Sequence, residues 1–174
     1  LAHVQLHPQH RRDILATAIN SAIIKLSKLS KATKVYRGIS GMALPDTFWQ
    51  ANEYDVRGGI ENAFMSTTLN RLVAMGYAAG DGSKIGIVIE VQQGMVNRGA
   101  DISWLSQCDT PAIRLLSPSP PSVSPSLARP NARFADGHEL EILFNPLTSI
   151  EVLTVRSEGA VVVIKCAFSI NLIA

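Results

Sequence analysis

The segment Ile85–Val91, reading IGIVIEV, constrains the fold of this chain more than any other. β-Branched side chains lose rotamer freedom in a helix but pack well on a pleated surface, so the segment reads as a central strand. Four further strand candidates follow it, at Ile102–Leu105, Leu140–Phe144, Ser149–Val155 and Ala160–Phe168. Ahead of it, strands are expected at 34–37 and 63–67, the first ending at Gly38. Thr68 or Asn70 is placed to cap a short helix running through Ala79. Only residues 11–30 suggest a long helix. There Leu15, Ile19, Ala22, Leu26 and Leu29 recur at alternating spacings of four and three, one apolar stripe with Arg12, Lys25 and Lys28 largely off it. Pro45, Gly58 and Gly59 mark residues 39–62 as a long, partly ordered loop with one helical turn near Phe48–Trp49. A helix first and many strands afterwards predict an α+β domain rather than alternating βαβ units.

At 174 residues, 47% hydrophobic and 17% charged, the chain suits a single domain over residues 1–174 with a sizeable core. A net charge of +2 is too small to argue by itself for nucleic acid or a membrane surface, and no nucleic-acid partner and no membrane span are expected. Residues 1–37 carry seven of the sixteen Lys/Arg but one of the fourteen acids, Asp13, and read as a solvated basic helix face. No apolar run approaches the roughly 20 residues of a membrane-spanning helix. The chain opens at Leu1 without an initiator Met or a signal-peptide pattern, as an excised or processed piece would, and its compartment is not legible. Cys108 and Cys166 could form one disulfide, but two cysteines make no framework. Two free thiols, with Cys166 in a core strand, are expected instead.

Residues 117–130, SPSPPSVSPSLARP, stand apart in composition. Prolines remove backbone donors and serines compete for local hydrogen bonds, so no regular structure is expected there. The run lies within an excursion at about 108–138, which should stay outside the core and leave Ile102–Leu105 and Leu140–Phe144 able to pair.

Three separated pieces can carry chemistry. Val35-Tyr36-Arg37-Gly38 puts a guanidinium at a strand end, where its fork can take phosphate oxygens and the glycine lets a ligand approach the backbone. Phe64-Met65-Ser66-Thr67-Thr68 is a hydroxyl-rich strand end before a helix. Glu139-Leu140-Glu141 sets two carboxylates on one face of a strand, since residues two apart point the same way. Such a like-charged pair on a core-forming strand fits an exposed edge or a functional site. No GxGxxG, no P-loop and no metal-ligand spacing occurs among His3, His7, His10, His138 and the cysteines, so no metal is expected.

Taken in order, these pieces resemble the Arg–Ser–Glu class of ADP-ribosyltransferases, in particular the arginine-specific mono-ADP-ribosyltransferases. VYRG, VRGGIENAFMSTT, VAMGYA, GIVIEVQQGMVNRGADISWLSQ and ELEILFNPLTSIEVL carry the likeness over most of the chain. The resemblance implies two packed, mainly antiparallel sheets around an NAD cleft, with an amino-terminal helix. It implies transfer of ADP-ribose from NAD, a consumed co-substrate, to an exposed arginine of an acceptor protein, with release of nicotinamide. Arg37 would hold the NAD phosphates and ribose, beside Gly38. Ser66, with Thr67, would line the nicotinamide-ribose pocket and orient the catalytic Glu141. Glu139 would serve the arginine acceptor, and Phe64 would pack near the nicotinamide. The loop before Glu139 is only a few residues long in that family, whereas thirty-one residues, 108 through 138, intervene here. A chain so interrupted could also be an NAD glycohydrolase or an inert NAD-binding module.

Overall fold

A computed structural model describes residues 8–80, 85–105 and 140–170. Glu139, Cys108, His138 and the Pro/Ser-rich run lie outside the described residues. The elements, in chain order, are α1 (Pro8–Ser27), β1 (Lys34–Ile39), α2 (Asp46–Trp49), β2 (Gly58–Glu61), β3 (Met65–Thr68), α3 (Arg71–Ala79), β4 (Gly86–Gln92), β5 (Ala100–Asp101), β6 (Glu141–Phe144), β7 (Thr148–Glu158) and β8 (Val161–Ser169). The α+β class expected from the sequence is the one observed.

The strands form one eight-stranded sheet in the order β2-β7-β8-β4-β1-β3-β6-β5. Only β4 and β8 run parallel; the other neighbours are antiparallel. The two sheets implied by the resemblance are two lobes of this one sheet. β1 is laddered to β4 over six residue pairs and β3 to β6 over four, but β1 and β3 meet in the single pair Tyr36↔Thr68.

β4 is central, as its composition predicts: Gly86 through Val91 are buried without interruption. One face of the sheet packs Val35, Met65, Ile87, Ile89, Val91, Ile142, Phe144, Ile164 and Phe168 into the main core. Phe144 and Phe168 meet edge to face there, 5.1 Å between ring centroids, a geometry that sets the positive edge of one ring on the negative face of the other. On the opposite face, α3 packs Ala74 and Ala78 over Val88 and Val163. Asn70 caps α3, its side chain accepting from the Leu72 amide at 3.0 Å. The helix lies so close to β1 that a Cβ on Gly38 would stand 2.0 Å from the Ala74 carbonyl oxygen. Gly38→Ala must therefore push α3 off the sheet, and is expected to cost about 1–3 kcal/mol in chemical unfolding.

Three sequence expectations are corrected. The apolar stripe on α1 does not face the core: Leu15, Ile19, Ala22 and Leu29 are exposed and Leu26 is half-buried. The buried positions are Ile23, Ser27 and, past the helix end, Ser30. Polar docking of the carboxyl-terminal half decides this face. The Asn145 amide donates to the Asn20 side chain, the Asp101 amide donates to Ser30 Oγ at 2.7 Å, and Arg98 donates to the Lys28 carbonyl at 2.9 Å. The strand expected at Ile102–Leu105 is instead a turn, in which the Asp101 carboxylate accepts from the amide and hydroxyl of Ser103. Pairing with β6 comes two residues earlier, Ala100↔Leu143 and Asp101↔Ile142, so the neighbour relation holds across the intervening residues 106–139. Finally, the long loop at 39–62 contains β2, which pairs with β7, as well as the expected helical turn α2 over Phe48–Trp49.

The larger lobe is strongly curled. β2 and β1 are four strands apart in the order, about 19 Å on a flat sheet. Yet Glu61 of β2 and Arg37 of β1 form an ion pair at 3.7 Å. The curl brings the end of β2 round to the cleft described next.

Candidate active site

The cleft follows from the single point of contact between the lobes. Past Tyr36↔Thr68 the two strands part, so Arg37 and Gly38 on β1 and Thr67 and Ser66 on β3 lose their mutual ladder. One carbonyl at this gap is taken over by a side chain: Arg37 Nη1 donates to the Ser66 carbonyl oxygen at 3.0 Å. The guanidinium thus replaces a backbone donor and spans the gap. The resulting cavity, about 260 Å³, is lined by Arg37, Gly38, Ser66, Thr67, Thr68, Tyr77 and Glu141.

Ser66 and Glu141 meet through strand register. Ser66 is paired with Leu143, and Glu141 lies two residues from Leu143 on β6, so the two side chains are diagonal neighbours on one face. Ser66 Oγ donates to Glu141 Oε1 at 2.6 Å, the short distance of a hydroxyl bound to an ionised carboxylate. This bond fixes one carboxylate oxygen and aims the group into the cleft. Arg37 carries positive charge on one wall and Glu141 negative charge on the other. Such a site can grip an anionic portion of a ligand and stabilise a cation beside it.

The remaining sequence candidates fall as follows. Gly38 lines the cleft, where the missing side chain leaves the backbone open to a ligand. Thr67 borders it, but its hydroxyl is buried and donates to the Ile142 carbonyl at 2.8 Å. Phe64 is half-buried just before β3 and is not among the lining residues. Glu139 lies outside the described residues. Two residues at or beside the cleft were not singled out in the sequence. Tyr77 reaches it from α3, and Glu61 pairs with Arg37 from β2. A signal for Tyr77 does exist: it lies two turns into a helix that begins straight after β3, and such a helix must pass over the β1 glycine.

Other chemistry finds little support among the described residues. Burial pushes the Cys166 thiol up to about 12, so it is an inert core side chain in β8, as expected. No group of three or more His, Cys, Asp or Glu side chains there could hold a metal ion, and no helix is long and apolar enough to cross a membrane.

No protein-family model matches the chain, and no curated protein matches it in sequence. Solved structures do match. The Vis toxin, an ADP-ribosyltransferase from Vibrio splendidus, superposes with a TM-score of 0.52 at 18% identity over 90% of this chain and 56% of its own. Vis has also been solved with agmatine, matching with a TM-score of 0.53 at 17% identity over 90% of this chain and 57% of its own. The ADP-ribosyltransferase HopU1 of Pseudomonas syringae gives a TM-score of 0.54 at 19% identity over 97% of this chain and 61% of its own. BECa, an ADP-ribosylating toxin of C. perfringens solved with NADH, gives 0.50 at 14% identity over 97% of this chain and 38% of its own. The chain therefore has the fold of these ADP-ribosyltransferases and spans less than two thirds of the length of each.

Proposed function

We propose that this chain catalyses NAD-dependent transfer of ADP-ribose to arginine side chains of an acceptor protein, releasing nicotinamide. One observation carries the proposal: Ser66 and Glu141, joined at 2.6 Å, share a cleft with Arg37 although the three are far apart in sequence. The fold supports the same reading, as does the NADH bound to BECa. The agmatine bound to Vis, a guanidinium compound, supports arginine as the acceptor.

Each residue has a physical task in this reaction. The Arg37 fork suits the pyrophosphate of NAD, to which it can present two parallel N–H donors. When the bond between nicotinamide and ribose C1′ breaks, positive charge builds on the sugar. The Glu141 carboxylate, held by Ser66, stabilises that charge more than it stabilises the ground state, as rate acceleration requires. An acceptor guanidinium nitrogen then bonds to C1′ and sheds a proton. By the sequence resemblance Glu139 is the carboxylate that would bind this guanidinium and make its nitrogen available.

The purified chain, given NAD, should release nicotinamide, faster when agmatine is added, and should form ADP-ribosylated agmatine detectable by mass spectrometry. No nicotinamide release and no adduct would refute the proposal. Release that agmatine neither accelerates nor diverts would leave an NAD glycohydrolase, the reading that the long excursion before Glu139 favours.

A further inference from the structure

We propose that Glu61 is a positioning residue that sets the affinity of the cleft for the NAD pyrophosphate by holding the Arg37 guanidinium. The inference rests on the function proposed above and adds a residue to it.

Glu61 is the last residue of β2, and its own placement is tightly determined. Gly58 begins that strand with φ at 142°, a conformation L side chains rarely adopt, and a Cβ there would stand 1.8 Å from the Ile150 carbonyl oxygen. β2 is thereby pressed onto β7 in the register Gly58↔Glu151 to Glu61↔Thr148. The Glu61 carboxylate is anchored in turn. Oε1 accepts from the Ala63 amide at 3.2 Å, and Oε2 faces Arg37 Nη2 at 3.7 Å. The same short connection leads into β3 and Ser66, whose carbonyl accepts from Arg37 Nη1. The guanidinium is therefore set between two fixed points, a neutral carbonyl and a charged carboxylate.

The geometry favours support over blockade. At 3.7 Å the Glu61–Arg37 contact is a charge pair beyond hydrogen-bonding distance. It orients the guanidinium without saturating Nη2, so donors remain for phosphate oxygens. Both side chains are 29% exposed, enough to leave the guanidinium reachable and to weaken the pair's contribution to folding. An arginine side chain has several rotatable bonds, and the freedom lost on gripping a ligand is smaller when the fork is already held. Removing Glu61 also relieves its repulsion of the pyrophosphate. Loss of orientation is the larger effect in this proposal, and that assigns the sign of the test.

Glu61→Ala and Glu61→Gln separate the roles. Gln keeps an oxygen for the Ala63 amide and loses the charge, whereas Ala loses both. In nicotinamide release, both variants should raise KM for NAD about tenfold with kcat within twofold, and the melting temperature should move by no more than about 2 °C. Calorimetric titration with ADP-ribose, which keeps the pyrophosphate and lacks nicotinamide, should weaken in parallel. In an Arg37→Ala background, Glu61→Gln should change neither quantity further, because its effect passes through Arg37. A wild-type KM in Glu61→Gln, a lowered KM, or an undiminished effect without Arg37 would overturn the proposal. A wild-type chain that binds ADP-ribose but releases no nicotinamide would overturn the function alone, and the binding series would still decide Glu61. A chain that neither binds nor reacts would overturn both.

Discussion

Glu141→Gln is expected to lower kcat for nicotinamide release by about 10²–10³-fold while leaving the melting temperature nearly unchanged. Glutamine has the size of glutamate and can still accept from Ser66 Oγ, so the 2.6 Å contact keeps a partner. On the proposed function, what disappears is the negative charge that would face the ribose as positive charge develops there. A contact that matters only in the transition state reduces kcat and kcat/KM together, so KM for NAD should change little. Glu141 is half-buried at the start of β6 and makes no ion pair among the described residues, so folding should not depend on its charge. Steady-state kinetics beside a thermal melt check the result. A large drop in stability would make Glu141 a structural residue, and unchanged turnover would remove it from the chemistry.

Sequence legibility followed the length scale of the interaction that decides each feature. β4, β7 and β8 were legible because β-branched runs report directly on a pleated, packed surface. The capping of α3 by Asn70 was legible because it is settled within two residues. α1 was legible as a helix but not in its orientation, since its buried face is chosen by Asn20 and Ser30 meeting distant polar groups beyond β6 and in β5. β2 was hidden by Gly58 and Gly59, which ordinarily mark a loop. Here Gly58 allows the close seating of β2 on β7. In the site, Arg37, Ser66 and Glu141 could be nominated from residue type, position and resemblance, and the cleft gathers all three. Glu61 could not be nominated. Its contact with Arg37 exists only because the lobe curls, a property of the whole sheet rather than of either strand.

The Glu90 cluster should give the largest stability effect, with a sign that depends on which partner is removed. Glu90 interrupts the apolar run of β4, and its side chain is 8% exposed. Lys34 donates to Oε1 at 2.7 Å and Arg156 to Oε2 at 2.8 Å. Tyr36 and Lys165 lie opposite Glu90 in the flanking strands. Burial pushes the Glu90 carboxyl up, but the hydrogen bonds and charges of Lys34 and Arg156 outweigh it and hold the group below the usual carboxylate range. The partners differ in exposure: Lys34 is 44% and Arg156 43% exposed, so either stays hydrated when Glu90 is lost. Glu90 has no such recourse when they are lost. Lys34→Met with Arg156→Met should therefore destabilise the fold by about 3 kcal/mol or more, by stranding a buried carboxylate. Glu90→Gln alone should cost clearly less, and adding Glu90→Leu to the double variant should recover most of the loss. The pH dependence should also reverse. In the wild type the folded pKa of Glu90 lies below the unfolded one. Its contribution is complete above the usual carboxylate range and is lost as pH falls through the folded value. In the double variant burial acts alone and raises the folded pKa above the unfolded one, so protonation favours the folded state. Its deficit against wild type should shrink as the pH is lowered from neutrality towards that raised value. Urea unfolding at several pH values measures both effects. A constant deficit across that range, or a Glu90→Gln loss as large as the double variant's, would show that the carboxylate is not the strained member of the cluster.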